Sequence, residues 1–151
     1  MTIQQANQYF AALPDGFADP AQLGALLPAS VQKVQFVGVA GTAGKTAVAR
    51  LLTAILQAQG ICAGAYHAGC EPLAARIRVA GKPVDEVLLC RAADALAAHE
   101  KLPLQAAELA AAAYCFGEAG CTLAVVELPD AGLAAALPQM PVCAVTAVGP
   151  D

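Results

Sequence analysis

Residues 31–60, VQKVQFVGVAGTAGKTAVARLLTAILQAQG, leave few folds open to this chain. An apolar run, KVQFVGVA, enters a loop with glycines at 41 and 44, meets Lys45-Thr46, and leaves as a periodic apolar segment that stops at Gly60. The run reads as a buried strand. Val48, Leu51, Leu52, Ile55 and Leu56 recur at helical spacing, which predicts a single apolar helical face closed by Gly60. A strand that turns through glycines directly into a helix aims the helix's unpaired amides, and the positive end of its dipole, at the space beyond the strand end. Phosphate suits such a corner. Glycines let the backbone approach an anion with positive φ, a lysine just inside adds a compact positive charge, and the next hydroxyl reaches toward Mg²⁺. GTAGKT, residues Gly41 to Thr46, supplies these parts. It misses the strict G-x4-G-K-[ST] pattern by one position. Val39 stands where the first glycine belongs, with Gly38 and Gly41 to either side.

The flanking sequence agrees with this corner. TIQQANQYFAAL predicts a short amphipathic helix, closed by the turn Pro14-Asp15-Gly16. DPAQLGALLP predicts another, with Asp19 as N-cap and Pro20 at the first helical position. ICAGAYHA reads as a second strand and ARIRVAGKPV as a hairpin or extended arm turning at Gly81. VDEVLLCRAADALAAHE and PLQAAELAAAAYCFGEAG are two helices, the second apolar nearly all round, as a helix inside a layered domain would be. CTLAVVEL is a continuous apolar strand ending in Glu127, and PVCAVTAV is another before Gly149-Pro150-Asp151. Strands alternating with helices predict an α/β fold in three layers, with a mostly parallel sheet covered on both faces. Glu127 then falls at the edge where open parallel sheets bind ligands, and a carboxylate there holds Mg²⁺ directly or through water. The competing reading is a charge that simply reaches solvent at a strand end.

Bulk composition narrows the function classes. At 151 residues the chain is one domain's worth, with no internal repeat. Its 58% hydrophobic and 13% charged residues predict a surface that meets another domain or subunit. The net charge is −4 with the basic residues scattered, which argues against nucleic acid as partner. No apolar run reaches the roughly 18 residues of a spanning helix, and the start lacks a signal-peptide pattern, so no membrane partner and a cytoplasmic location are expected. The cysteines at 62, 70, 90, 115, 121 and 143 include no CxxC pair. Most lie in apolar segments and read as small buried thiols rather than a zinc site or disulfide framework. Among the remaining charged groups, Glu108 and His99 are expected to face solvent, Arg76 and Arg78 alternate on the arm and face either substrate or, the reading preferred here, solvent, and His67 reads as a surface-loop histidine.

The offset glycines in AGTAGKTA resemble the loop of the Mur ligase superfamily, and in particular its folate branch, the folylpolyglutamate and dihydrofolate synthases, whose loop is like AGTNGKGS. The resemblance runs along most of the chain. YFAALP and LGALLPASVQKVQFVGVAGTAGK look like the N-terminal helices leading to the loop. RIRVAGKPV looks like the RIxINGxPI arm, AAELAAAAYCFGEAGCTLAVVEL like the helix and strand ending in a metal-binding glutamate, and AVTAVGPD like ITxIGxDH. The resemblance implies a Mur-ligase central-domain-like P-loop fold and an ATP-dependent amide ligase. In such an enzyme ATP phosphorylates a carboxylate of a folate, and the amine of glutamate attacks the acyl phosphate. By position, Gly41, Thr42, Ala43, Gly44, Lys45 and Thr46 would line the ATP phosphates, with Lys45 the catalytic cation, and Glu127 would be a magnesium ligand. Thr46 joins it by general P-loop logic, although the folate branch usually carries glycine there. Residues 1–151 would be the ATP-binding domain, and the carboxy-terminal ligase domain would lie beyond the chain as given.

Several positions depart from the family pattern. Ala43 replaces the loop asparagine. YHAGCEP stands where the family has a Thr-Ser-Pro-His stretch with a magnesium-binding serine, and LAARI stands where an asparagine–glutamate pair precedes the arm. LPDAGLAAALPQ lacks the arginine of the family's GLGGRxDxTN stretch. Phosphoryl transfer depends on positioning and charge stabilisation, so these losses predict impaired or absent ligation in a chain that still binds nucleotide. Two other readings stand beside it: an active ligase completed by another domain, and a non-catalytic nucleotide-binding or scaffold domain.

Overall fold

The structure is a computed structural model. It describes residues 1–16, 20–41, 43–69, 71–98, 102–128, 137 and 142–145. Helix α1 (Ile3–Ala11) begins in a capping box, in which Thr2 accepts from the Gln5 amide while the Gln5 side chain accepts from the Thr2 amide. Helix α2 (Pro20–Ala25) starts at the proline as expected, while its expected cap, Asp19, lies outside the described residues. A 3₁₀ helix (Ala29–Lys33) leads into β1 (Gln35–Ala40), followed by α3 (Lys45–Ala58) and β2 (Ala63–Tyr66). A single helical turn, α4 (Leu73–Arg76), precedes the hairpin of β3 (Ile77–Val79) and β4 (Lys82–Pro83). Helices α5 (Glu86–Ala97) and α6 (Leu104–Glu118), then β5 (Leu123–Glu127) and β6 (Val142–Val145), complete the order.

Among the described residues the sheet has six strands in the order β4-β3-β2-β5-β1-β6. Strands β2, β5, β1 and β6 are parallel, and the β3–β4 hairpin adds an antiparallel edge to β2. Ala80 and Gly81 both take positive φ, 53° and 81°, the mirror-image turn whose twist suits a two-residue hairpin. Strand β5 inserts between β1 and β2, so the ends of β1, β5 and β2 open side by side along one edge. That placement is what assembles the site.

Helices cover both faces, giving the expected three-layer α/β fold. On one face, α6, α5 and α1 enclose the main core around Phe36, Phe116, Leu89 and Leu109. Helix α6 is buried almost all round, as its composition predicts. On the other face α3 packs through Ala49 onto Val39 and Val125, with Val48, Leu52 and Leu56 partly buried around them. The expected five-residue face of α3 is therefore corrected. Leu51 is 63% and Ile55 50% exposed, because the helix meets the sheet along Ala49-Leu52-Leu56 and those two side chains fall beside the contact.

Two glycines admit close approach rather than a special turn. A Cβ at Gly117 would meet the Ser30 hydroxyl and the Val31 backbone at 2.8 and 2.9 Å, so the 3₁₀ helix rests directly on α6. A Cβ at Gly64 would penetrate the Phe116 ring, which is fully buried. Gly64→Ala is expected to destabilise the fold by about 1–3 kcal/mol through overpacking, read as a lower urea midpoint with an unchanged slope. A midpoint equal to that of the parent would refute this close approach of β2 to α6.

Candidate functional site

Strand β1 delivers the chain to Gly41, with φ 134°, and Gly44 takes the left-handed conformation, φ 81° and ψ 3°, as the residue before α3. Lys45 and Thr46 open that helix, both half-buried. The helix start carries no side-chain cap on Gly44 and no acidic residue in its first turn. Its leading amides and dipole are thus left facing the loop with no built-in anion. Ala43 is exposed, and Thr42 lies outside the described residues.

Glu127 ends β5, the neighbour of β1, and pairs with Val39 in the strand register. Its residue exposure is 2%. One carboxylate oxygen, Oε2, accepts the Ala68 N–H at 3.1 Å, whereas Oε1 is buried with no partner among the described residues. A buried carboxylate oxygen without a donor is costly unless something positive completes it. Glu127 and Lys45 line one cavity of about 220 Å³, together with Asp15, Arg76, Glu108 and Ala68. Thr46 does not line that cavity. It borders an adjoining hollow with Arg50, His67 and Glu71, and Ala68 and Gly69 border both.

The donor set suits Mg²⁺ as a shared rather than a caged ion. Mg²⁺ prefers oxygen, keeps several waters, and is commonly held by one or two protein oxygens plus substrate phosphates. The Glu127 oxygen that has no partner among the described residues, beside the glycine loop, is compatible with that pattern, whereas Thr46 borders the adjoining hollow and not the cavity that Glu127 lines. No group of three or more His, Cys, Asp or Glu able to hold a metal occurs among the described residues.

Beneath the cavity sits a buried ion pair that corrects two expectations. Arg76 and Glu108, read from sequence as solvent-facing, are 6% and 8% exposed. Arg76 Nη2 donates to Glu108 Oε2, Nη1 reaches Oε1 at 3.4 Å, and Nε donates to the Glu71 carbonyl at 2.9 Å. Burial by itself would lower the Arg76 pKa, and the bond and charge of Glu108 more than offset this, leaving it raised. Tyr66 lines the same cavity as Arg76, and its phenol is pushed well above the usual range, first by burial and then by the Glu108 charge. An acid set within the apolar run of a helix was the available signal: such a group survives burial only with a partner. Arg78 is exposed as expected, and donates to the Gly81 carbonyl at 3.2 Å.

His67 lies in the loop after β2 and is half-buried, with Nδ1 3.1 Å from the Ala68 carbonyl. His99 and the Gly149-Pro150-Asp151 turn lie outside the described residues. No described helix is long and apolar enough to cross a membrane.

No family model matches the sequence, and no curated protein matches it. Solved structures do. A folylpolyglutamate synthase complex with AMPPCP and folate superposes with a TM-score of 0.84 at 21% identity, covering 100% of this chain and 41% of its own. The Mycobacterium tuberculosis folylpolyglutamate synthase complexed with ADP gives 0.82 at 23% identity, covering 99% of this chain and 37% of its own. The Helicobacter pylori folylpolyglutamate synthetase gives 0.74 at 20% identity, covering 95% and 40%. The chain therefore has the fold of an N-terminal folylpolyglutamate synthase domain, and it spans about two fifths of the length of these structures.

Proposed function

We propose that this chain is the nucleotide-binding part of an ATP-dependent amide ligase of the folylpolyglutamate synthase type, with impaired or absent ligation in the form given. The observation that carries this reading is the meeting of Lys45 and the half-unsatisfied Glu127 in one cavity, at the edge where the glycine loop opens. Solved proteins of this fold hold AMPPCP or ADP, and the loop here keeps the left-handed glycine, the lysine and an uncapped helix start. The amides of residues 41–46 would cradle the phosphates, and the Lys45 ammonium would hold the terminal ones in place. Glu127, with Thr46, would hold Mg²⁺, which when bound neutralises charge on the phosphates. The cytoplasm, where ATP and folates are available, is the matching location.

In the full reaction a folate carboxylate would attack the terminal phosphorus of ATP, releasing ADP, and the amine of glutamate would then displace phosphate from the acyl phosphate. Lys45 serves the first step by fixing the transferring group and offsetting its charge. The second reading, a non-catalytic nucleotide-binding or scaffold domain, is favoured by the segment after β2. His67-Ala68-Gly69 brings no hydroxyl to the site, and the Ala68 N–H already occupies one Glu127 oxygen.

Calorimetric titration with ATP, with and without Mg²⁺, tests the binding half. Magnesium is expected to tighten ATP binding in the parent. Glu127→Ala should remove most of that gain, since charge-assisted contacts are worth roughly 1.5–3 kcal/mol. Magnesium dependence that survives the substitution intact would remove Glu127 from the metal role. Glutamate addition to folate at rates usual for such ligases, assayed on the longest natural chain, would defeat the impaired reading.

A further inference from the structure

Four cysteines lie among the residues whose side chains are described, and one departs from the expectation of plain buried thiols. Cys90, Cys115 and Cys121 are buried, whereas Cys62 is exposed. Cys62 stands immediately before β2 and Cys121 two residues before β5. These strands are parallel neighbours with Ala63 opposite Leu123, so one further step of that register sets Cys62 beside Thr122 and next to Cys121. Neighbouring strands lie about 4.8 Å apart, and a disulfide forms between Cα atoms about 4.4–6.8 Å apart. Cys62 is the neighbouring group that, after burial, perturbs the Cys121 thiol. The Cys121 backbone is pinned, its N–H donating to the Phe116 carbonyl at 3.0 Å.

We propose that Cys62 and Cys121 form a thiol-modification site, in which exposed Cys62 captures a low-molecular-weight disulfide and Cys121 resolves the adduct into an internal Cys62–Cys121 disulfide. The Cys62 thiolate attacks one sulfur of the small disulfide, forming a mixed disulfide and releasing one small thiolate, which takes up a proton. The Cys121 sulfur, having lost its proton to solvent, then attacks the Cys62 sulfur and releases the second small thiol. Two protein thiols are oxidised and one small disulfide is reduced to two thiols.

The surroundings set the order of events. Burial, and then contact with Cys62, push the Cys121 thiol up to about 11, so it is the poorer first attacker as well as the less accessible one. Converting Cys62 to a mixed disulfide removes the neighbouring thiol that helps hold the Cys121 proton. Cys115 also lies near Cys121, but burial pushes it up to about 12 and it is closed to reagents. The pair sits at the start of β2 and β5, whereas Tyr66 and Glu127 sit at the far ends of those strands. The modification is thus separate from the phosphate-loop reading and stands or falls without it.

The test exposes the folded chain to glutathione disulfide, quenches free thiols by alkylation under denaturing conditions, and maps peptides. A Cys62–Cys121 linkage, reversed by reductant, is the expected product in the parent chain. Cys121→Ser should instead accumulate one glutathione per chain on Cys62, and Cys62→Ser should form neither the adduct nor the linkage at that position. The parent map alone decides the matter if either variant fails to fold. Stable glutathione on parental Cys62 with Cys121 still free would overturn the proposal, and so would an internal disulfide joining a different pair or no reaction at Cys62.

Discussion

Lys45→Ala is expected to weaken ATP binding by about 10- to 100-fold, read by calorimetry under fixed Mg²⁺ and salt. A hydrogen bond to a charged group is worth roughly 1.5–3 kcal/mol, and about 1.4 kcal/mol corresponds to one decade of affinity. Lys45 opens α3 directly after left-handed Gly44, so its ammonium works with the helix amides rather than alone. Those amides remain in the variant, which is why residual affinity is expected. Lys45→Arg should fall between the two, since it keeps the charge but exchanges a compact ammonium for a planar fork. Melting temperatures without nucleotide should agree between parent and Lys45→Ala, because the residue is half-buried at a loop and contributes little to either core. An unchanged ATP affinity in Lys45→Ala would leave the glycine loop as a structural turn and withdraw the nucleotide reading.

Arg76→Ala is expected to cost about 3–5 kcal/mol of stability, the usual result of stranding one member of a buried ion pair. Glu108 would be left 8% exposed inside α6 without its guanidinium, and the Glu71 carbonyl would lose the Nε donor. Urea unfolding at neutral pH measures the loss. A double replacement, Arg76→Met with Glu108→Leu, should recover most of the stability, since an apolar pair carries no desolvation cost. It should not recover the site, whose cavity is lined by both charged groups. A loss below about 1 kcal/mol for Arg76→Ala would show that the pair behaves like a solvent-screened surface bridge.

Local interactions leave their mark on a short stretch of sequence, and long-range ones do not. The β1–loop–α3 corner was legible because strand, glycines and helix are contiguous, and each responds to its own near neighbours. The all-round apolar character of α6 announced its burial in the same way. By contrast, Leu51 and Ile55 obey helical spacing as faithfully as Leu52, yet they are exposed. Spacing defines a stripe but not the line along which a helix meets its sheet. Arg76 and Glu108 are 32 residues apart, and neither one's local sequence names the other. Cys62 and Cys121 meet only because β5 inserts beside β2.

The chain's own order of residues determined that there would be a layered α/β domain with a glycine turn from its first strand directly into a helix, since periodicity and glycine placement act over a few residues. Tertiary structure alone decided that Glu127 would face the same cavity as Lys45 with one oxygen unpaired, that Thr46 would open onto the neighbouring hollow, and that Arg76 would find Glu108. Those outcomes depend on strand order and register. Strand order is set by how all the apolar faces are buried together, a global condition that no short stretch of sequence carries.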